Sequence, residues 1–318
     1  MSQRVLVTGG AGFIGSHVAD AYLKRGDRVW ILDDLSSGRM SNVPAQATFV
    51  QASINDEAVE RLFQEVGGFD IVNHHAAQMD VRTSVENPRF DARINIDGFL
   101  NIVECARKYR TQRVLFVSSG GVVYGEPEAR PTPEQAPKAP LSPYGVTKLT
   151  AEYYLNYYRI VHGLEYAALR YANVYGPRQN PHGEAGVVAI FASRLRKETP
   201  LTIYGDGEQT RDYVFVEDVV AANMLLSNAV LPMGGDLDQR AYNVGTGQET
   251  SVNQLAQTMI GVSGKQVNVH YAAERRGELR HSSLDTARLQ SLGWRARSSL
   301  EEGLRITYDY IVNKETGW

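Results

Sequence analysis

Residues 4–20 read RVLVTGGAGFIGSHVAD, a short apolar run followed by a glycine-rich turn and the start of an amphipathic helix. Gly9, Gly12 and Gly15 have the spacing GxxGxxG. Glycine here allows a sharp turn, a close approach of the backbone to a pyrophosphate and tight packing of the helix on the strand. The helix start also offers free N–H groups and a partial positive charge. The stretch therefore predicts a dinucleotide site at a strand-to-helix turn.

A second signal is the acidic end of the next apolar run, RVWILDD at residues 28–34. Asp33 follows Gly15 by eighteen residues, about where a ribose-binding carboxylate belongs. A carboxylate there accepts hydrogen bonds from both ribose hydroxyls and repels a 2′-phosphate. A plain glycine-rich turn would not explain this acidic strand end. The predicted cofactor is therefore NAD rather than NADP.

The first half of the chain alternates strand and helix patterns. Further apolar runs lie at 47–52, 69–76, 113–121 and 165–173, with helical patterns at 56–66, 95–109 and 144–163. This alternation predicts an α/β fold with a doubly wound parallel (Rossmann) sheet, in which ligands bind beyond the carboxyl ends of the strands. The second half is less regular. We predict a dinucleotide-binding domain over 1–173 and a smaller α/β substrate domain over 174–318, with some segments returning to the first domain.

Composition limits the partners and the location. The chain has 318 residues and a formal net charge of −3, so it has no general basic field for nucleic acid or anionic membranes. No stretch approaches the roughly 20 apolar residues of a membrane span, and the N-terminus lacks the apolar region of a signal peptide. The single cysteine, Cys105, excludes an intramolecular disulfide and fits a reducing compartment. These features predict a cytoplasmic protein.

Residues 142–148, SPYGVTK, place Tyr144 and Lys148 one helical turn apart. Side chains at i and i+4 are neighbours on a helix, and an ammonium beside a phenol favours the phenolate. The pair could form a general base that works near neutral pH. Alone, the pattern is more often a solvated helix face, so its meaning depends on the glycine turn and on Asp33.

Together these motifs resemble those of the extended short-chain dehydrogenases that act on nucleotide sugars, and most closely the UDP-galactose (UDP-glucose) 4-epimerases. The resemblance covers nearly the whole chain and includes TGGAGFIGSH, HHAAQ, SSGGVVYGE, SPYGVTK, LRYANVYGPRQ, TRDYVFVEDV, YNVGTG and RRGELRHSSLD. It implies that Tyr144 is the acid/base and that Lys148 holds the nicotinamide ribose. It also implies that C4 of a UDP-hexose is inverted through a transient 4-keto sugar, without net redox change.

The resemblance assigns a set of residues to NAD. Besides Tyr144 and Lys148 they are Gly9, Gly12, Phe13, Ile14, Gly15, Asp33, Asp34, Ser37, Gly38, Ser53, Ile54, His75, Ala76, Ala77, Gln78, Asn95, Ser118 and Tyr171. Ser53 stands where the family uses an aspartate near the adenine. No metal is predicted at His74 and His75, because adjacent strand residues point to opposite faces and no further ligand stands at a suitable spacing.

The second catalytic position departs from the family. A Ser or Thr four residues before the tyrosine of VYG is replaced by Gly120. Ser119 could donate the missing hydrogen bond and so act as a third catalytic residue. The alternative is that Ser118 and Ser119 only complete the strand and contact the cofactor. Tyr124 itself is predicted to serve packing.

A further set is assigned to the nucleotide sugar. Its members are Ser119, Gly120, Tyr144, Asn173, Val187, Val188, Thr202, Tyr204, Arg211, Arg275 and Glu278. Arg211 and Arg275 would bind the diphosphate, because a guanidinium binds phosphate oxygens in a fork. Glu278 replaces a ribose-binding aspartate. Ser282 replaces a bulky tyrosine that gates the sugar pocket, which predicts that N-acetylated UDP-sugars are also accepted.

Other functions remain open. A UDP-glucuronate 4-epimerase is one alternative, because these motifs do not specify the group at C6 of the sugar. The 4,6-dehydratases and uronate decarboxylases carry acidic residues where this chain has Gly120 and Gly121, which disfavours both. A non-catalytic NAD-sensing protein is favoured by Gly120 and disfavoured by Tyr144 and Lys148. Members of the family commonly form homodimers through a four-helix bundle, and the apolar, tyrosine-rich helices predicted near 90–109 and 148–162 fit that arrangement.

Overall fold

The computed structural model of the chain describes residues 2–181, 186–232, 234–274 and 279–313. Its strands are β1 (Arg4–Thr8), β2 (Arg28–Asp33), β3 (Thr48–Gln51), β4 (Ile71–His74), β5 (Arg113–Ser119), β6 (Tyr166–Tyr171), β7 (Asn173–Tyr175), β8 (Leu201–Tyr204), β9 (Thr210–Arg211), β10 (Tyr213–Phe215), β11 (Ala241–Val244), β12 (Thr250–Ser251) and β13 (Val269–Ala272). Its α-helices are α1 (Phe13–Arg25), α2 (Ala58–Val66), α3 (Val81–Glu86), α4 (Pro88–Ala92), α5 (Phe99–Lys108), α6 (Gly120–Val123), α7 (Pro143–His162), α8 (Val187–Arg196), α9 (Val216–Asn228), α10 (Val252–Ser263), α11 (Ala287–Ser291) and α12 (Leu300–Asn313). A π-helical segment (Arg93–Gly98) joins α4 to α5, and short 3-10 helices lie at Met40–Asn42 and Leu237–Arg240.

One seven-stranded sheet organises the protein, in the order β11-β6-β5-β4-β1-β2-β3. Every neighbouring pair in it is parallel. The chain runs outward from β1 through β2 to β3 and then returns to β4 on the other side of β1. Such a reversal is the switch point at which a ligand-binding crevice opens. The predicted doubly wound α/β fold is confirmed.

Helices cover both faces of this sheet. On one face α2, α5 and α7 bury apolar side chains such as Phe63, Phe99 and Leu155. On the other face α1 and α9 contribute residues such as Val18 and Leu226. Because both faces are buried, the strands read as continuous apolar runs rather than alternating ones.

The second half of the chain joins this sheet and also builds a core of its own. β11 pairs with β6, with Tyr242 opposite Leu169, and α9 packs on α1. A separate cluster that includes Phe191, Leu255 and Leu304 lies between α8, α10 and α12. The boundary near residue 173 stays a prediction. Within the described ranges, no helix combines the length and the apolar character that crossing a bilayer requires.

Candidate active site

The glycine turn between β1 and α1 has no space for a side chain at Gly9 or at Gly15. Gly9 has a φ of +67°, and a Cβ there would lie 2.6 Å from the backbone nitrogen of Ala76. At Gly15 a Cβ would lie 2.3 Å from the carbonyl oxygen of Gly9. Since α1 begins at Phe13, the N–H groups of its first turn have no acceptor within the helix. This cradle at the carboxyl end of β1 fits a pyrophosphate.

Asp33 is buried at the end of β2 and organises the same turn. Its two carboxylate oxygens accept the N–H groups of Ala11 at 2.9 Å and of Leu35 at 2.8 Å. Each oxygen retains a lone pair with which it could accept a ribose hydroxyl. A Cβ on Gly38 would lie 2.7 Å from Asp33 Oδ1, so Gly38 allows the chain to pass close to the carboxylate. Burial raises the pKa of Asp33.

The segment after β4 lies across the switch point from the glycine turn. The N–H of His75 donates to the carbonyl of Thr8 at 3.0 Å, and His75 Nε2 is buried without a hydrogen-bond partner in the described part of the chain. Burial lowers the pKa of His75 to about 3, so the ring is neutral. His74, by contrast, shares a hydrogen bond of 2.8 Å with Thr8 Oγ1. An orphaned buried ring nitrogen is the kind of atom that a bound cofactor satisfies.

The remaining residues assigned to NAD lie around the carboxyl edge of the sheet. Asn95 Oδ1 accepts the N–H of Gln78 at 2.9 Å. The hydroxyl of Tyr171, at the end of β6, accepts a hydrogen bond of 2.6 Å from Asn223. Ser53 Oγ accepts the N–H of Asn55 at 3.3 Å. Ile54 is buried, Asp34 and Ser37 are exposed, and Phe13, Ile14, Ala76 and Ala77 are partly exposed.

The Tyr144–Lys148 pair is placed by the start of α7. Ser142 caps this helix by accepting the N–H of Gly145 at 3.2 Å, and Pro143 occupies its first position. Lys148 Nζ donates to the carbonyl of Val117 in β5 at 2.9 Å and lies 5.7 Å from the centre of the Tyr144 ring. The two side chains are therefore neighbours beside the carboxyl end of β5.

Burial dominates the charge states of this pair. It lowers the pKa of Lys148 to about 8, although Asp91 and Glu152 act in the opposite direction. It raises the pKa of Tyr144, and the charge of Asp91 adds to that effect. The protein groups alone therefore do not bring the Tyr144 phenol toward neutral pH. A bound nicotinamide carries a positive charge, which would act in the opposite direction and lower the pKa of Tyr144.

The two serines at the end of β5 have different environments. Ser118 is buried, and its hydroxyl donates to Glu152 at 2.5 Å. Ser119 is partly exposed, and its hydroxyl has no hydrogen-bond partner among the described residues. In the sheet register Ser119 stands opposite Tyr171. Of the two hydroxyls, that of Ser119 is the one available to a ligand.

Gly120 is explained by a contact from far along the chain. A Cβ at Gly120 would lie 2.5 Å from Cδ1 and 2.8 Å from Cδ2 of the buried Leu284. The N–H of Leu284 donates to Asp212 Oδ2 at 3.2 Å, and Asp212 also accepts the N–H groups of Thr246 and Gly247. Leu284 thus fills the space into which a Ser or Thr side chain at this position would project.

A buried ion pair joins β6 to α7. Arg170 and Glu152 are both fully buried, with Nη2–Oε2 at 2.6 Å and Nε–Oε1 at 3.0 Å. Arg170 also donates to the hydroxyl of Tyr124 at 2.9 Å and to Asp238 at 3.1 Å. The Tyr124 hydroxyl in turn donates to Asn243 at 2.8 Å. Tyr124, which was expected only to pack, is therefore part of a polar network that joins β6, β11 and α7.

The residues assigned to the nucleotide sugar lie on several segments. Asn173 opens β7 with an exposed side chain. Val187 and Val188 are the first residues of α8, so their N–H groups have no intrahelical acceptor. Arg211 lies on β9, where its Nη1 donates to the carbonyl of Thr210 at 2.8 Å. Thr202 and Tyr204 lie on β8, and Arg275 and Glu278 lie outside the described residues.

Comparison with known proteins decides the family. Residues 5–245 match the family model of the NAD-dependent epimerases/dehydratases. The chain belongs to this family. It is 44% identical to the UDP-glucose 4-epimerase of Mycolicibacterium smegmatis over 318 residues, 98% of this chain and 99% of the relative. Membership confirms the resemblance read from the motifs.

Two crystal structures are closely similar. That of the UDP-glucose 4-epimerase of Thermotoga maritima with UDP-glucose has a TM-score of 0.92 and 45% identity, and the match covers 97% of this chain and 98% of that one. That of the Thermus thermophilus UDP-glucose 4-epimerase with NAD has a TM-score of 0.90 and 43% identity, with coverage of 98% and 99%. NAD is the cofactor of this epimerase family. The glycine cradle, Asp33 and the orphaned His75 Nε2 fit that cofactor.

Four residues that organise the site were not predicted. They are Asp91, Glu152, Asp212 and Leu284. Each makes contacts with residues distant in sequence, which the spacing of motif residues does not reveal.

Proposed function

We propose that this protein is a UDP-hexose 4-epimerase that interconverts UDP-glucose and UDP-galactose through a 4-keto intermediate. The observation that carries this proposal is the position of Tyr144 and Lys148, at the carboxyl end of β5 and on the same sheet edge as the glycine turn. The relatives named UDP-glucose 4-epimerase, which are 43–45% identical over nearly the full chain, support the choice of substrate.

Tyr144 acts as the acid/base of the proposed reaction. Its phenolate takes the proton of the sugar 4-hydroxyl as the C4–O bond becomes a carbonyl, and the phenol returns the proton after the keto sugar has turned over. A bound NAD, held by the glycine cradle and Asp33, would supply the acceptor and then the donor for the hydride of C4. Lys148 binds the nicotinamide ribose and holds a positive charge beside the phenol. Ser119 donates a hydrogen bond to the sugar 4-oxygen as its charge changes.

The nucleotide is held by the second half of the chain in this proposal. The N–H groups of Val187 and Val188 at the start of α8 face the diphosphate, and Arg211 binds its oxygens. Asn173 contacts the sugar nucleotide from the start of β7. Arg275 and Glu278 are further proposed ligands, assigned from the sequence alone.

The direct test of this function is conversion of UDP-galactose to UDP-glucose by the purified protein with no added electron acceptor. The expected result is an equilibrium mixture of the two sugars, which Tyr144→Phe should approach at least about 10²-fold more slowly. UDP-glucuronate serves as the parallel substrate. Conversion of that sugar alone would replace the proposal with a uronate epimerase. Binding of NAD with no conversion of either sugar would favour the NAD-sensing alternative.

Substrate width is proposed to depend on Ser282. This side chain is small and only 7% exposed, where the family's bulky tyrosine would stand. We propose that the protein also interconverts UDP-GlcNAc and UDP-GalNAc. The test compares kcat/KM for plain and N-acetylated sugars in the wild type and in Ser282→Tyr, with Ser282→Ala as control. Rejection of N-acetylated sugars by the wild type, or an unchanged ratio in Ser282→Tyr, would end this proposal.

The quaternary structure is proposed to be a homodimer through α5 and α7 of each copy, as a four-helix bundle. The two helices pack side by side, with the hydroxyl of Tyr158 donating to Glu104. The outward face of α7 exposes apolar side chains, among them Tyr153, Ile160 and Val161. Sedimentation should show a dimer for the wild type and a monomer for Ile160→Glu. A cytoplasmic location stays a prediction, for which the lone buried thiol of Cys105 is the support.

A further inference from the structure

Asp91 is a fully buried carboxylate on α4, which packs against the helix that carries Tyr144 and Lys148. Its Oδ1 accepts hydrogen bonds from Gln78 Nε2 at 2.8 Å and from Asn95 Nδ2 at 3.0 Å. Its Oδ2 accepts the hydroxyl of Thr147 at 2.9 Å. All three donors are neutral. Burying a carboxylate that is hydrogen-bonded only by neutral donors costs folding free energy. A carboxylate kept at this cost, against the helix that carries the proposed acid/base, suggests a function for Asp91.

The contacts of Asp91 join the segment after β4 to α7. Asn95 is oriented from both sides, because its Oδ1 accepts the N–H of Gln78 at 2.9 Å while its Nδ2 donates to Asp91 and to the carbonyl of Gln78. Thr147 lies one residue before Lys148 on α7. One carboxylate therefore links the segment after β4, the π-helical segment and the first turns of α7.

Within the described part of the chain, the charge of Asp91 is not cancelled by a bonded cation, whereas the charges of its neighbours are neutralised or solvated. Glu152 on α7 is paired with Arg170. On β4 and directly after it, His74 and His75 are neutral, because burial lowers the pKa of each to about 3. The charged residues of α3, α4 and the adjoining turns are exposed or partly exposed; they are Asp80, Arg82, Glu86, Arg89, Arg93 and Asp97.

We propose that Asp91 is a positioning residue of the epimerase reaction. It fixes Asn95 and α7 against each other, and its negative charge keeps the buried Lys148 protonated and makes Tyr144 a stronger base. This inference rests on the proposed roles of Tyr144 and Lys148. A buried charge is screened little by solvent and salt, so its effect on these neighbours should change little with ionic strength. Its influence on Tyr144 and on Lys148 has the same direction, since it raises the pKa of both.

Asp91→Asn removes the negative charge, while the hydrogen bonds of the side chain can be kept. An asparagine oxygen can accept from Gln78 and Asn95, and its NH₂ can donate to the Thr147 hydroxyl. That hydroxyl can then turn its own proton to the carbonyl of Tyr144, 3.0 Å away. Asp97→Asn removes an exposed carboxylate from the adjoining π-helical segment and is the matched control. Asp91→Glu keeps the charge and tests rescue.

The test measures the pH dependence of kcat and, separately, the titration of Tyr144. In Asp91→Asn both limbs of the kcat profile should move to lower pH by about one unit, while KM for the sugar and the NAD content per chain stay close to wild type. Tyrosinate absorbance is titrated without substrate, and the signal of Tyr144 is obtained by subtracting the titration of the same protein carrying Tyr144→Phe. In Asp91→Asn this signal should show the same shift to lower pH. Asp97→Asn and Asp91→Glu should keep the wild-type limbs.

Two outcomes separate this inference from the proposed function. If Asp91→Asn lowers kcat but leaves both limbs and the Tyr144 titration in place, Asp91 is merely structural and the inference is overturned. If the Tyr144 titration shifts as expected in a protein that converts no UDP-sugar, the effect of the Asp91 charge on Tyr144 stands and the proposed function fails.

Discussion

Two parts of the sheet's carboxyl edge depend on different kinds of contact: the cofactor edge, which is the glycine turn after β1 with the segment after β4, and the sugar edge, which is the end of β5 with Gly120. At the cofactor edge, Gly15 is required by the carbonyl oxygen of Gly9, and Gly9 by the backbone of His75 and Ala76, which directly follow β4. At the sugar edge, Gly120 is required by Leu284, a side chain more than 160 residues further along the chain. Backbone constraints leave a glycine spacing that can be read in a sequence. Contacts between distant side chains leave no such spacing.

The largest expected effect concerns Tyr144, which lies between the two edges. Tyr144→Phe should lower kcat by a factor of about 10² or more, because a positioned acid/base is lost. NAD content should stay unchanged, since the glycine cradle and Asp33 are untouched. Tyr153→Phe, which removes an exposed hydroxyl from the same helix, is the control. Near-normal turnover in Tyr144→Phe would remove this residue from the mechanism.

The contact between Gly120 and Leu284 predicts strong coupling at the sugar edge. Gly120→Ser alone should cost about 1–3 kcal/mol of unfolding free energy through overpacking. Leu284→Ala alone should cost about 2–5 kcal/mol through the cavity it leaves. The double variant should lose less than the sum, because the serine side chain enters the vacated space. Denaturant unfolding of the four proteins measures this coupling, and additive losses would show that Leu284 does not dictate the glycine.

A smaller effect is expected at the cofactor edge. Asp33→Ala should weaken NAD binding by about 10- to 100-fold, the scale of charge-assisted hydrogen bonds of about 1.5–3 kcal/mol. It should also relax discrimination against NADP, because the carboxylate no longer repels the 2′-phosphate. Dissociation constants for both cofactors, measured by calorimetry, test this. Equal constants in wild type and variant would refute the ribose role of Asp33.

The smallest effect distinguishes the two serines. Ser119→Ala should lower kcat by about tenfold at unchanged stability, through the loss of one hydrogen bond to the reacting oxygen. Ser118→Ala should instead lower the unfolding free energy, because it deprives the buried Glu152 of a donor. The reverse result, with Ser118 governing kcat, would reassign the serine role. If neither variant loses activity, Tyr144 acts without a serine.

The sequence predicted the architecture well, because strand and helix patterns and the glycine turn depend on local chemistry. Burial was harder to predict. The YxxxK spacing correctly predicted that Tyr144 and Lys148 are neighbours, but burial and the charge of Asp91 raise the pKa of Tyr144 rather than lower it. Asp91 could not be found, because its importance arises only when α4 packs on α7.

The central claim is that one site removes and returns the hydride of C4 in the same molecule. UDP-galactose deuterated at C4 of its galactose, incubated with the protein in ordinary water, tests it most directly by mass spectrometry and NMR of the product. The account predicts UDP-glucose that retains deuterium at C4. Loss of the label to solvent, or formation of UDP-glucose only when an external electron acceptor is added, would contradict it.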